Sequence, residues 1–263
     1  WNDKGVKTQF EWHDGSLFAL PLNCTYQHFN GSGDEPARFF SVNSAPIVFN
    51  LFHHEDFVFN TPRDFTDRFD GDPEYFSGKG KAYPGRVWDT NFIADARSFA
   101  LEDWVERGGG GKNVMLEMAN GSMAAHISEF PVGTYKKAHR HGPGFNVIII
   151  KGKGFSMFWR QGEEPKRYDW QDGSVFTPPA MMWHQHFNTG ATGARYLPPR
   201  LGGIKYSLGE GFGDITKVDK DVKAGGNQIE YFDEDPNIRK MFEEELAKSG
   251  TSTKMDPNFY KRP

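Results

Sequence analysis

Four of the nine histidines in this 263-residue chain fall in two pairs with the same spacing. His139 and His141 form the first pair, and His184 and His186 form the second. Alternate side chains of a β-strand point to one face, so each pair directs two imidazoles to the same side. Imidazole binds Fe, Zn, Cu, Ni and Co, and two such strands around a common interior can build a three-histidine metal site. Ordinary histidines on exposed strand faces are the alternative, and the repeated spacing favours the metal site.

The sequence around both pairs predicts the strands that must carry them. The β-branched run 147–150 follows the first pair and ends at a Gly-Lys-Gly turn signal, which is typical of a buried strand entering a hairpin. The second pair follows a strand-like segment that begins at Gly173. Upstream, apolar residues alternate on either side of Asn120-Gly121, which predicts a hairpin over 113–128. His126 lies on its second strand, where a lone histidine is more often structural.

The two segments resemble the two sequence motifs of the cupin superfamily. The first motif, G-x5-H-x-H-x(3,4)-E-x6-G, is met by Gly133, His139, His141 and Gly152. The second motif, G-x5-P-x-G-x2-H-x3-N, is met by Gly173, Pro179, His184 and Asn188. The resemblance implies a double-stranded β-helix with His139, His141 and His184 as metal ligands.

Two positions depart from these motifs. Asn146 stands where the first motif usually has its glutamate, and Met181 replaces the inner glycine of the second. The fourth ligand is then absent or a neutral amide. Asn146 is a candidate fourth ligand or an orienting group.

The chain also contains an internal repeat. Residues 7–30 align without gaps with residues 165–188, and both contain W-x-D-G-S-x-F and end in Q-H-F-N. In the first copy Tyr26 stands at the place of His184, and His28 at the place of His186. Since the counterpart of His186 recurs without an H-x-H pair, we predict that His186 is an acid/base or orienting residue beside the metal. The repeat makes the chain resemble a bicupin whose first barrel carries no metal.

The repeat predicts an all-β fold in four parts. Residues 1–58 form the C-terminal part of a first barrel, with closing strands in 39–58, and 59–110 an irregular connector between barrels. Residues 111–205 form the second, metal-binding barrel, and 206–263 a C-terminal extension. The counterpart of the H-x-H pair would precede Trp1. We therefore expect the chain to be the C-terminal part of a longer bicupin, whose first barrel is completed by a separate N-terminal fragment or, alternatively, by a partner subunit in a homo-oligomer.

The C-terminal extension contains one predicted helix, at 236–249. Asp235 is a suitable N-cap, Pro236 suits the first turn, and Gly250 ends the helix. Ile238, Met241, Phe242 and Leu246 form one apolar stripe for packing rather than for chemistry. The polar, Gly-rich residues 202–231 are expected at the surface.

Composition excludes several function classes. The net charge of −4 predicts no nucleic-acid partner. The sequence shows neither an apolar run of membrane-spanning length nor a signal-peptide pattern. A single cysteine, Cys24, gives no internal disulfide framework and fits a reducing compartment. We expect a cytoplasmic protein that acts on a small molecule and does not bind a membrane.

Three neutral imidazoles would leave a divalent metal with open coordination positions. The set is similar to that of the three-histidine Fe(II) cupin dioxygenases, such as gentisate dioxygenases, which are bicupins. That resemblance implies oxidation of a hydroxylated aromatic acid or a diketone. Mn, Zn, Ni or Co would instead suit a lyase, decarboxylase or isomerase, and a binding or storage cupin is the non-enzymatic alternative.

Two further features would define the substrate cavity. Arg195 is a candidate partner for a substrate carboxylate, although its counterpart Arg38 in the repeat favours a structural role. The apolar runs 157–159 and 181–183 would supply cavity walls and favour an apolar substrate.

Overall fold

The computed structural model describes residues 4–142, 145–203 and 217–262. Its strands are β1 (Leu17–Phe18), β2 (Lys81–Tyr83), β3 (Val87–Asp89), β4 (Phe92–Ile93), β5 (Glu102–Asp103), β6 (Lys112–Met118), β7 (Met123–Phe130), β8 (Val147–Lys151), β9 (Lys153–Trp159), β10 (Lys166–Gln171), β11 (Val175–Phe176), β12 (Trp183–Asn188), β13 (Ala194–Leu197) and β14 (Arg200–Leu201). Its α-helices are α1 (Ala45–Phe52), α2 (Glu55–Phe59) and α3 (Pro236–Lys248). Short 3-10 turns include Val105–Arg107 and Tyr231–Asp233.

Two sheets build a barrel between residues 112 and 197. One has the order β11-β8-β13-β7-β6, and the other the order β10-β9-β12. The extended segment 134–141 lies beside β12 through the bridges Tyr135↔Phe187 and His139↔His184. Most connections pass from one sheet to the other, which is the topology of a jelly roll. This mostly β, cupin-like fold agrees with the barrel that the two motifs imply.

The predicted hairpin at 113–128 is confirmed. Strands β6 and β7 pair in antiparallel register from Lys112↔Glu129 to Met118↔Met123. Asn120 and Gly121 both have positive φ at the turn, at 52° and 85°. Asparagine and glycine tolerate this region of backbone space, so the two residue types explain the turn.

The connector is more regular than the sequence predicts. Strands β2 and β3 form a hairpin, and β3 pairs in parallel with β6. Strand β5 also pairs with β6. Without these strands β6 would be an open sheet edge with unpaired backbone groups. Residues 81–103 thus extend the barrel sheet, and a long-range pairing of this kind leaves no local sequence signal.

The expectation of closing strands in 39–58 is wrong. Helices α1 and α2 occupy most of that range, with Pro46 in the first turn of α1. Strand β1 pairs only with β4 among the described residues. A strand needs a neighbour for its backbone hydrogen bonds, and without one this stretch takes up local helical structure. A second barrel is therefore not established.

The predicted C-terminal helix is confirmed as α3. Asp235 caps it by accepting a hydrogen bond from the Asn237 amide at 2.9 Å. Ile238, Phe242 and Leu246 are buried, and Met241 is partly buried beside them. Phe242 packs edge-on against Tyr135, which lies on the segment that carries the first histidine pair. The helix therefore supports the back of the ligand-bearing strands.

The surface location expected for 202–231 holds only in part: residues 217, 220 and 223–225 are exposed, residues 202, 218, 226, 228 and 231 are buried, and residues 204–216 lie outside the described residues. The Ile229 amide donates to the Ala138 carbonyl at 2.9 Å, and the Arg140 amide donates to the Asn227 carbonyl at 3.0 Å. Gln228 is buried beside His139. This stretch forms an outer neighbour for segment 134–141, which covers the edge of the second sheet. In the described part of the chain, no helix has the length and apolar character needed to cross a bilayer.

Candidate metal centre

Three histidines meet inside the barrel. His139 and His141 lie on one face of segment 134–141, with ring centroids 5.7 Å apart. The amides of His139 and His184 each donate to the other's carbonyl, at 3.0 and 2.8 Å. This pairing places the rings of His139 and His184 4.1 Å apart. One potential ligand nitrogen from each of the three rings lies within 4.8 Å of the other two.

Hydrogen bonds fix which ring nitrogen is available in each of these histidines. The Nδ1 atoms of His139, His141 and His184 lie 3.3, 2.8 and 2.9 Å from the backbone carbonyl oxygens of Lys137, Gly142 and Met182. A carbonyl oxygen only accepts, so Nδ1 carries the hydrogen and donates it. The lone pair is then on Nε2 in all three rings. Such outer hydrogen bonds orient histidine ligands in metal sites.

The three rings are neutral at physiological pH. Burial lowers the pKa of His139 and of His184 well below its usual value, and neighbouring positive charge lowers it further. Burial also lowers the pKa of His141, to about 4. A neutral imidazole is the form that binds a metal, so the site needs no deprotonation at pH 7.

His186 shares the cavity but not this arrangement. Its ring lies 5.6 Å from that of His184, and its Nδ1 lies 2.7 Å from the Ser156 hydroxyl. The Trp170 indole donates to the same hydroxyl at 2.9 Å. Ser156 is fully buried, and among the described residues its hydrogen has no other acceptor than His186 Nδ1. In the tautomer in which Ser156 donates to Nδ1, His186 carries its own hydrogen on Nε2 and has no ring lone pair for a metal.

The structure does not bring Asn146 into the group. The Asn146 Oδ1 atom accepts a hydrogen bond from the Thr177 hydroxyl at 2.8 Å. Among the described residues that line the cavity, Asn146 is absent. Its role as a fourth ligand therefore stays a prediction without a supporting contact.

Arg195 does not face the cavity. Its Nε atom donates to Glu129 at 2.8 Å, and Nη1 donates to the carbonyls of Ala96 and Phe99, both at 3.0 Å. These contacts tie the barrel to the preceding segment and leave no fork for a substrate. The structural role suggested by its counterpart in the repeat fits this placement.

The cavity beside the three histidines has a volume of about 80 Å³. Residues of both sheets line it, together with residues of the connector and of the C-terminal segment. Its apolar walls come from Met115, Phe145, Val147 and Pro198. The runs 157–159 and 181–183, expected to form these walls, are absent from the described lining. His126 is part of the lining, on β7 opposite the metal ligands.

Sequence reasoning missed the charged part of this lining. Arg107 comes from the connector, and Asp219 comes from the C-terminal segment. Arg107 precedes the four-glycine run 108–111, which looks like a flexible turn in the sequence. A Cβ at Gly109 would lie only 2.4 Å from the Tyr135 carbonyl oxygen. The glycines therefore let this turn pack closely against segment 134–141. The run of glycines next to an arginine was the sequence feature that could have identified Arg107 as a cavity residue.

Comparisons with known proteins identify no family for this chain. Neither a protein-family model nor a curated protein matches the chain. A cupin domain of Schizosaccharomyces pombe Cnp3 is 19% identical, with a TM-score of 0.34 over 41% of this chain and 73% of that one. A Rhodospirillum rubrum cupin-2 domain is 19% identical, with a TM-score of 0.33 over 47% and 74%. Lactobacillus farciminis oxalate decarboxylase is 15% identical, with a TM-score of 0.37 over 62% and 49%. Likenesses at this level say nothing about substrate or reaction.

Proposed function

We propose that this protein is a mononuclear metal enzyme that uses Fe(II) and O2 to oxidise a small organic acid or diketone. One observation carries the proposal: one ring nitrogen from each of His139, His141 and His184 lies within 4.8 Å of the other two, and the carbonyl bound to each Nδ1 leaves the lone pair on Nε2. Imidazole nitrogen suits iron, and also zinc, copper, nickel and cobalt. A bound ferrous ion would supply the redox chemistry that these side chains cannot provide.

The chain's own residues would position the substrate by hydrogen bonding. His186 directs an N–H toward the cavity, and its burial lowers its pKa to about 3. It therefore stays neutral and donates a hydrogen bond rather than acting as an imidazolium acid. Ser156 and Trp170 hold its ring in this orientation. The apolar walls limit the access of water to the reacting atoms.

The function is tested by oxygen uptake. Metal-free protein is reloaded with Fe(II) under anaerobic conditions and then mixed with O2 and a panel of hydroxylated aromatic acids and diketones. Substrate-dependent O2 consumption in the native protein, absent in His184→Ala, is the expected result. Turnover without O2 uptake, supported by Zn, Mn, Ni or Co, would move the assignment to a lyase, decarboxylase or isomerase. A protein that binds none of these metals would contradict metal catalysis and leave a binding or storage role.

A further inference from the structure

We infer that the cavity contains an anion subsite in which the guanidinium of Arg107 binds a carboxylate of the substrate. This inference deepens the proposed function, because it names the substrate class and the residue that selects it. It depends on the geometry of Arg107 and on its two unpaired nitrogen donors. The metal is not needed for the subsite itself.

Arg107 is a buried cation with unused donors. Its side chain is 1% exposed, and it lines the cavity that also contains the three histidines. Its Nη2 atom donates to Asp219 at 2.7 Å and to the Val218 carbonyl at 3.2 Å. Its Nε and Nη1 atoms have no hydrogen-bond partner among the described residues. Buried donors normally have partners, so two unpaired guanidinium nitrogens in a cavity wall indicate a missing acceptor.

The backbone places this guanidinium next to the metal ligands. The Lys137 amide donates to the Arg107 carbonyl at 3.1 Å, so the turn of Arg107 is bonded directly to the segment of His139 and His141. The Trp104 ring lies 4.8 Å from the guanidinium carbon and supports one face of it. The indole of Trp104 donates to Asp219 at 2.9 Å, which holds that carboxylate in place. The orientation of Arg107 is therefore set by contacts and does not depend on a ligand.

With a metal bound, the charge balance of the site would also favour an anion. Arg86 and Arg107 are the cationic side chains of the described lining, and Asp219 is its carboxylate. Arg86 is compensated from outside the cavity by Glu106 at 3.6 Å. A divalent ion on three neutral imidazoles would add two positive charges. A carboxylate that reaches both the Arg107 fork and the neighbourhood of the histidines would neutralise part of this excess in a low-dielectric site.

The experiment compares acids with their neutral amides on the metal-free protein. Acetate and benzoate are titrated against acetamide and benzamide, and binding is followed by calorimetry and by the shift in thermal melting temperature. We expect the better-fitting acid to bind about tenfold more tightly than its amide, because the loss of one charge-assisted hydrogen bond weakens binding by roughly that factor. Equal binding of both acids and their amides, or binding of none of the four, would overturn the inference.

The variants Arg107→Met and Arg107→Lys test the residue, and Arg195→Met is the matched control. Arg195 is a buried arginine whose Nε and Nη1 atoms donate to acceptors outside the cavity. We expect Arg107→Met to lose the preference for the acid, Arg107→Lys to keep part of it, and Arg195→Met to keep all of it. If Arg107→Met fails to fold, Arg107→Lys decides: an unchanged acid-to-amide ratio there would contradict a role for the guanidinium fork.

The outcome is separable from that of the proposed function. Loss of the preference for the acid in Arg107→Met, or its reduction in Arg107→Lys, in a protein that binds no metal would support the subsite and contradict the proposed metal enzyme. Stoichiometric metal with no preference for acids would support the metal centre and contradict the subsite.

Discussion

At the residue scale, the separate roles of the four histidines depend on their outer hydrogen bonds. His184 and His186 lie two residues apart on β12, and both line the same cavity. The Nδ1 atom of His184 is hydrogen-bonded to a backbone carbonyl, whereas the Nδ1 atom of His186 is hydrogen-bonded to a serine hydroxyl. The first arrangement leaves a lone pair for a metal, and the second leaves an N–H for a substrate. The internal repeat had already suggested that His186 is not a ligand, but no sequence pattern specifies the carbonyl or the serine.

The buried histidines predict how the stability of the metal-free protein depends on pH. The pKa of His141 falls from 6.5 to about 4, and that of His186 falls to about 3. Between the usual value and these lowered values, the unfolded chain binds protons that the folded chain does not. The contribution of these histidines to the free energy of unfolding should therefore be at its maximum above pH 6.5 and should fall as the pH drops toward 4. Urea denaturation at a series of pH values measures it.

The matched variant for this prediction is His141→Gln, which removes one of the titrating groups. Its stability should fall less steeply than that of the native chain over the same pH range. A native stability that is flat between pH 6.5 and 4, or identical slopes in the two proteins, would contradict the burial of neutral imidazoles.

At the scale of elements, the sequence predicted local structure well and long-range pairing poorly. The β6–β7 hairpin, the strand at 147–150 and the capped helix α3 follow from turn residues, β-branched runs and capping residues close together in the chain. The parallel pairing of β3 with β6 and the docking of 217–231 beside segment 134–141 depend on partners far away. These distant elements supply the charged lining of the cavity. No local sequence pattern therefore identifies Arg107 and Asp219 as cavity residues.

Helix α3 should stabilise the barrel without contributing to metal binding. Phe242 is fully buried and contacts Tyr135 and Phe187 on the back of the ligand strands. Phe242→Ala should lower the free energy of unfolding by about 3–5 kcal/mol, as expected for removal of a buried aromatic side chain. Urea denaturation measures the loss, and metal content per folded chain should not change.

Glu244→Ala is the matched control on the exposed face of the same helix. Its side chain is 64% exposed, so its substitution should change stability by less than about 0.5 kcal/mol. A Phe242→Ala protein as stable as Glu244→Ala would show that α3 does not pack as described.

At the scale of the whole molecule, the first copy of the repeat differs from the second in burial. Phe29 is 74% exposed, whereas its counterpart Phe187 is fully buried between Phe155 and Tyr135. Other large apolar side chains near Phe29 in the sequence are also exposed, including Tyr26, Phe39, Phe40, Leu51, Phe52, Phe57 and Phe59. We predict that these exposed side chains form an interaction site. Because the counterpart Phe187 is covered in the second copy, we expect a partner to cover Phe29.

We predict that the chain self-associates through this surface. Sedimentation velocity should show an average mass that rises with protein concentration, and the double variant Phe29→Ser, Phe39→Ser should reduce the rise. Tyr168→Ser is the control, because Tyr168 is an exposed aromatic residue on β10 of the barrel. A native chain that remains a monomer at every concentration, or a double variant that associates as strongly, would rule out association through these residues.

The measurement that tests the metal centre most directly is the metal content of three matched proteins. Native chain, His184→Ala and His186→Gln are loaded with Fe(II) under anaerobic conditions, desalted and analysed by inductively coupled plasma mass spectrometry. We predict about one iron per chain in the native protein and in His186→Gln, because His186 carries its hydrogen on Nε2 and offers no lone pair to a metal. We predict almost no iron in His184→Ala. Native protein without bound iron, or His184→Ala with as much iron as the native chain, would contradict the three-histidine site.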